Sequence, residues 1–392
     1  MAAPALDQYF TSDASRIEGA VQEIQRVHGR VSGLMVKEAL PDGIGFNFQT
    51  TVVNRSTGTG GGWVTVSAPN GTSNNCVPTP TVVNPSMSLL NYVPRQTYLK
   101  SNPICFQDAR RGYMFTEQVK GIRQNFAENI VDVWENEDKY QYFTAAGHKI
   151  VFDSNLTETT NGSTMPATPA TSTINQDILD RLYTRIVQDG GGKEAYAKKQ
   201  GSPVITAVMS MDAHRQIIKG DDSIRDDFRW ADSGKGDGSV LLQSWGIDRT
   251  YGGYLHCIDN KMPRFDFVNG AWVERPFYVN EATTIGEQAI VNPDYENAEF
   301  EDLYLWHPDV IHRQVPKPLG SVGADTTGRA VNFNGEVYWL NIPNEETNPF
   351  SDVGFWGAKL YAAYKPMKPR YGYIVRFKRC PNVATSECPA YG

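Results

Sequence analysis

The sequence predicts an α+β fold, and three observations carry that prediction. A single apolar stripe of helical period runs through a stretch of about 30 residues. Short strand-like segments follow it, interspersed irregularly with shorter helical ones, which argues against a regular βαβ winding. Glycine and proline (35 and 23 residues) gather in two regions, 41–104 and 316–357, which read as long shaped loops.

The stripe lies between Arg111 and Lys149. Phe115, Val119, Ile122, Phe126, Ile130 and Val133 recur in steps of three and four, the spacing of one helix face. Lys120, Arg123, Glu128, Asp132 and Glu135 fall off it, and Gly147 is placed to cap the helix before the apolar run Ile150–Phe152. Such a helix spans roughly 45 Å. With one apolar stripe it is expected to lie across a sheet as a spine.

Before the spine, residues 12–31 read as an amphipathic helix. Ser15 and Glu18 have capping-box spacing, and Ile17, Val21, Ile24 and Val31 share a face. It is either an arm that docks elsewhere or an ordinary first helix on its own core. Residues 44–52 then alternate as a half-exposed strand, NRSTGTGGG makes a turn, and Trp63–Ser67 is the candidate return strand. The proline-rich stretch 69–103 and RQTYLKSNPICF complete a segment too poor in packing residues to fold alone, expected to lie on a neighbouring copy.

After the spine, Ile178, Leu182 and Ile186 mark a second helix, ended by glycines 190–192. PVITAVMS (203–210) reads as a buried strand, and MDAHRQIIKG as a short helix opening at Asp212. Residues 239–265 read as strands joined by tight turns. VERPFYV, EDLYLWH, EVYWLNI, KLYAAYK and YGYIVRF (371–377) are further strands.

At 392 residues the chain is long enough for one elaborate domain or several smaller ones, and its charged (21%) and apolar (40%) fractions are those of a globular protein. A net charge of −7 argues against a whole-surface affinity for nucleic acid. Five scattered cysteines without a CxxC pair make a zinc knuckle or disulfide framework unexpected and point to a reducing compartment. The start, MAAPALDQYF, is no signal peptide, and no apolar run is long enough for a membrane span.

No catalytic or metal-ligating pattern stands out. His307 and His312 miss the i, i+4 face of HExxH. GTGGG (58–62) and SGKGDGS (233–239) lack the spacing of phosphate loops, and there is no GxSxG elbow. DDSIRDDFRWAD (221–232) lacks the glycine and terminal glutamate of an EF-hand. One charge pattern is uneven: no acid occurs between Val353 and Ser386, where Arg376 and Lys378 are among seven basic residues, whereas the spine carries Glu128, Asp132, Glu135, Glu137 and Asp138. These two sets are expected to pair within or between subunits. Contact with a polyanion such as packaged DNA comes second, and a solvated edge strand is the plain alternative.

In this order, an arm, a long loop, a spine helix, a second helix, a strand–helix–Gly-rich region and a returning C-terminal strand, the chain resembles the major capsid protein of tailed bacteriophages, the Hong Kong ninety-seven-type fold. PVITAVMSMDAHRQIIKG, SWGIDRTYGGYLHCIDNKMP and GAKLYAAYKPMKPRYGYIVRF carry the likeness. The resemblance implies an N-terminal arm (1–40), an extended loop (41–104), a peripheral domain with the spine (105–200), an axial domain (201–350) and a C-terminal return to the peripheral domain (351–392). It further implies a structural role without catalysis, cofactor or metal: hexamers and pentamers of an icosahedral head around double-stranded DNA, held without sequence specificity. The extended loop would overlap a neighbour through Phe46, Phe48, Trp63 and Val64, and the loop 316–330, with Lys317 and Arg329, would meet its equivalents near local threefold axes. No lysine lies between Lys37 and Lys100, so a Lys–Asn crosslink on the loop is not expected. The short N-terminal region implies a separate scaffolding protein. Portal and decoration proteins are the other implied partners, with assembly in the host cytoplasm and a place in the virion capsid. The alternatives are an encapsulin-like compartment, a tail or baseplate protein, and, from another class, a hydrolase with a Gly-rich lid.

Overall fold

A computed structural model describes residues 16–17, 19–21, 23–24, 30–39, 48–54, 86–92, 95–105, 113–188, 197–199, 202–220, 247–251, 254–284, 286–315, 335–341 and 353–380. Its helices are α1 (Arg30–Leu34), α2 (Tyr113–Ala145), α3 (Gln176–Gln188), α4 (Met211–Gly220) and α5 (Pro293–Asn297). The early strands are β1 (Val36–Ala39), β2 (Phe48–Asn54), β3 (Ser86–Tyr92), β4 (Arg95–Lys100), β5 (Ile104–Cys105), β6 (His148–Phe152) and β7 (Glu158–Thr160). Next come β8 (Ala197–Lys199), β9 (Ser202–Met209), β10 (Ile247–Tyr251), β11 (Tyr254–Ile258), β12 (Arg264–Val268), β13 (Ala271–Arg275), β14 (Tyr278–Thr283) and β15 (Gly286–Val291). The last are β16 (Phe300–Trp306), β17 (Ile311–Val315), β18 (Gly335–Asn341), β19 (Val353–Pro366) and β20 (Tyr373–Lys378). The fold is α+β, as expected.

Two packed sheets share α2 as a common wall. A ten-stranded mixed sheet runs β10-β11-β9-β16-β20-β6-β7, with β12 and β13 attached through β16 and β8 through β9. A six-stranded sheet is organised on the long strand β19, which pairs with β18, β17, β4 and β5, while β1 pairs with β17. The C-terminal strand β20 therefore sits between β16 and β6, inside the larger sheet.

Alternation along the central strands divides the core. Leu303, Leu305, Tyr373, Val375, Ile205 and Ala207 face α3 and α4, whose buried side chains include Ile178, Leu182, Ile186, Ala213 and Ile217. Tyr304, Trp306, Ile374 and Val208 face the opposite way, into the cluster formed with Phe126, Ile130, Val131, Trp134 and Tyr142 of α2. That same cluster takes in Trp356, Ala358, Leu360 and Tyr364 of β19. Period two in the strands and period 3.6 in the helices thus meet on a shared set of residues.

At 33 residues α2 spans roughly 50 Å. Its C-terminal end is fixed to the middle of the larger sheet by Tyr142. That hydroxyl donates to the Leu305 carbonyl (2.7 Å), and the ring stacks on Trp306 at 3.9 Å. Gly147 does not cap the helix through a left-handed backbone, as expected from sequence. Glycine is needed because a Cβ there would lie 2.7 Å from the Pro369 carbonyl oxygen, to which Gly147 also donates its N–H.

Ile17 and Val21, both helical, are buried in the first cluster together with Val31, so this region packs on the chain's own core. Ser15 and Glu18 lie outside the described residues. The strand expected at 44–52 is β2, which pairs with β3; the expected return strand 63–67 lies outside the described residues. From Arg95 onward the chain is already in the six-stranded sheet, so the hairpin closes before the expected limit of 104. Cys257 is buried, whereas Cys380 is disulfide-bonded, although no disulfide framework was expected. Among the described residues no helix is long and apolar enough to cross a membrane.

Candidate assembly surface

The charged residues picked out on α2 and β20 do not meet each other. Arg376 lies opposite Asp302 in the β16–β20 register and forms a fork with it, Nε–Oδ1 2.6 Å and Nη2–Oδ2 2.8 Å. Both side chains are almost wholly buried, and the guanidinium lies against Phe265 (3.4 Å to the ring centre) and Trp272 (4.4 Å). Lys378 is half-buried at the end of β20, and its N–H donates to the Ser172 carbonyl. Within the chain the α2 acids and the β20 cations therefore do not pair. A directly opposed strand residue reaches Arg376 first, and the acids of α2 are turned elsewhere.

Glu128 is exposed and accepts from Gln124 one turn back (3.0 Å). Asp132 holds Lys261 through both oxygens (2.6 and 2.8 Å). Glu135 is not on the solvent side of α2. Its two oxygens accept the N–H groups of Ser32 (3.0 Å) and Val31 (3.1 Å) at the start of α1. Burial pushes its carboxyl up to about 7, partly opposed by Lys139. One turn on, fully buried Asp138 accepts from Ser32 Oγ (2.7 Å), Tyr364 OH (2.6 Å) and Arg313 Nη1 (2.8 Å). Glu135 and Asp138 together bind the N-terminal region to α2, and Asp138 also ties α2 to β17 and β19.

Further charges are buried at the N-terminal end of α4. Glu301 accepts from Arg264 (3.0 Å) and the Ser210 N–H (3.3 Å), and Arg379 lies 3.4 Å away. Asp212 bridges Arg264 and Arg379 from the solvent side. Lys139 pairs with Asp259 (2.5 Å) and donates to the Lys261 carbonyl, and burial lowers the pKa of Lys149. Sequence reading missed Glu301, Asp302 and Arg313, and named Asp138 only as one of the spine acids. The available signal was the acidic pair inside the otherwise apolar strand FEDLYLW, which is buried along its whole length.

Outside this framework lies an uneven surface flanking α2. One open groove of about 320 Å³ runs between Leu99, Phe126, Val133, Lys261, Phe277 and Tyr278. A second, of about 260 Å³, lies between Arg95, Thr97, Trp134, Glu137 and Leu360, and Val133 borders both. Tyr98 and Tyr140 stand out beside them, 62% and 58% exposed. Two hairpins, β2–β3 and β14–β15, each form a two-stranded sheet apart from the two packed ones.

Comparison with solved structures finds phage capsids. The chain is similar to the capsid of Ralstonia phage GP4, at 10% identity over 90% of this chain and 89% of that chain, with a TM-score of 0.47. It is similar to the capsid of cyanophage P-SCSP1u, at 9% identity over 88% and 87% of the two chains, TM-score 0.47. It is also similar to the capsid of cyanophage Pam1, at 12% identity over 88% of each chain, TM-score 0.45. No family model matches the sequence, and no curated protein matches it.

Of the residues expected at subunit contacts, Phe48 is placed on β2 opposite Tyr92. Phe46, Trp63, Val64, Lys317 and Arg329 lie outside the described residues.

Proposed function

We propose that the chain is a major capsid protein, self-assembling into hexamers and pentamers of an icosahedral phage head around double-stranded DNA. The observation that carries this reading is the β2–β3 hairpin, a two-stranded sheet of its own between β1 and β4, which are both strands of one packed sheet. Its strand β3 touches β19, but a two-stranded sheet is by itself at best marginally stable in water. A second copy that covers the hairpin satisfies it, and repetition of that contact by symmetry closes a container. The grooves beside α2 are suited to receive it, since they offer aromatic side chains and both signs of charge along one edge.

In this reading residues 41–94 are the reaching element, with Phe46, Phe48, Trp63 and Val64 as anchors, and 95–105 belongs with the spine. The loop with Lys317 and Arg329 serves contacts near threefold axes, and 201–350 surrounds the capsomer axes. The role is structural and not enzymatic. DNA is enclosed without sequence readout, in keeping with the acidic net charge. A scaffolding protein, portal and decoration proteins are the partners, with assembly in the host cytoplasm and a final place in the virion capsid.

Excising residues 43–93 and joining the ends with a short Gly/Ser linker tests this reading. Because β1 and β4 lie in one sheet, the shortened chain is expected to keep a cooperative thermal transition near that of the full chain. It is expected to form no large particles in sedimentation. Particles of undiminished size from the shortened chain would refute the role given to the hairpin.

A further inference from the structure

Helix α4 lies on the larger sheet with two buried histidines at the contact. His256, on β11, is fully buried, and His214, on α4, is 5% exposed. Their Nδ1 atoms are 3.2 Å apart and the rings meet edge to face. A contact between two ring nitrogens requires one N–H and one lone pair, so the two histidines occupy opposite tautomers at Nδ1. One added proton still leaves an N–H aimed at a lone pair, but it places a full charge in the core. A second sets two N–H groups head to head and breaks the contact.

The acids described on the helices and on β16 around His256 are already engaged elsewhere. Its Nε2 is buried and has no partner among the described residues. On α4, Asp212 is engaged by Arg264 and Arg379, and Arg215 is on the exposed side. From β16, Glu301 is held by the same two arginines and by the Ser210 N–H. Asp180 and Tyr183 of α3 act on Tyr254, two residues along β11, and Tyr254 donates to the Leu179 carbonyl. Arg249 of β10 is opposite His256 in register, and the same strand carries Asp248 at the irregularity between Ile247 and Arg249. Two residues beyond His214, Gln216 donates to Cys380 Sγ (3.6 Å), just past the end of β20, a second tie on α4.

We propose that the His214–His256 pair is an acid-sensitive latch: neutral, it holds α4 on the sheet, and protonation releases the helix. The direction follows from linkage. Burial, with His214 second, lowers the His256 pKa to about 3, so its stabilising contribution is complete above the ordinary histidine value near ~6.5 and declines as pH falls toward that lowered value.

The test is hydrogen–deuterium exchange of the full chain in peptides covering 211–220, corrected for intrinsic rates. Opening exposes a histidine of ordinary pKa, so protection is expected to fall at least about tenfold between about pH 7.5 and about pH 4.5. His256→Gln keeps a hydrogen-bonding group and does not titrate, so its protection is expected to change much less over that range. Equal loss in both proteins would overturn the proposal. Should the variant not fold, histidine ring NMR of the unmodified chain decides: His256 is expected to stay neutral down to about pH 5, and titration near ~6.5 with α4 still protected would overturn the latch.

Discussion

Asp138→Ala is expected to destabilise the chain by about 3–5 kcal/mol. Asp138 is fully buried and receives three hydrogen bonds, from Ser32, Tyr364 and Arg313. Arg313 is 1% exposed and lies over the Trp134 ring at 4.8 Å, with no route to water. Burial alone would lower its pKa, and the facing Asp138 outweighs that. Removing the acid leaves a guanidinium in the core without its anion and two hydroxyl donors without their acceptor. Since domains are stable by only ~5–15 kcal/mol, much of the total is at stake. Equilibrium urea unfolding measures it. The double replacement Asp138→Leu with Arg313→Met is expected to recover most of the loss, because exchanging both members of a buried pair for apolar groups is often close to neutral. A single-variant cost below about 1 kcal/mol would contradict this account, since the median exposed ion pair contributes no more.

The second large effect is at Arg376. Arg376→Glu is expected to prevent folding, because it sets a second carboxylate against Asp302 where the fork now closes at 2.6 and 2.8 Å. Arg376→Lys is the graded form. It keeps the charge but loses the bidentate geometry and the stacking against Phe265 and Trp272, with an expected cost of about 2–3 kcal/mol. Lys378→Glu, two residues on and half-buried, is expected to shift stability by under about 0.5 kcal/mol. Circular dichroism melts and the soluble yield distinguish the three. If Arg376→Glu folds normally and only weakens particles, Arg376 acts between subunits and not within one.

These residues also mark where sequence reading stops. The spine was legible because Val119, Phe126 and Ile130 repeat at helix spacing and are buried as that spacing requires. Strands β9, β11, β16 and β20 were legible because each is a short apolar run between turn residues. Burial of Glu135 and Asp138 was not, because a helix between two sheets buries more than one stripe, and the partners of Asp138 lie 106 to 226 residues away in sequence. Arg376 and Asp302, 74 residues apart, raise the same difficulty. Local pattern identifies which residues are charged but not which distant strand supplies the counter-charge. Strand β3 was missed for a related reason. SMSLLNY (86–92) has weak strand character and sits within a proline-rich stretch, whereas WVTVS has strong β-branched alternation. Pairing in the β2–β3 hairpin is set by register across a long connection and not by propensity alone.

The account depends on the chain forming closed shells with its own copies. Electron microscopy of the purified full-length chain, expressed alone and with a candidate scaffolding protein, tests that most directly. Closed, roughly spherical particles of uniform diameter are the result expected in at least one of the two preparations. A single small species in both, with the β2–β3 hairpin protected from exchange in the isolated molecule, would contradict it.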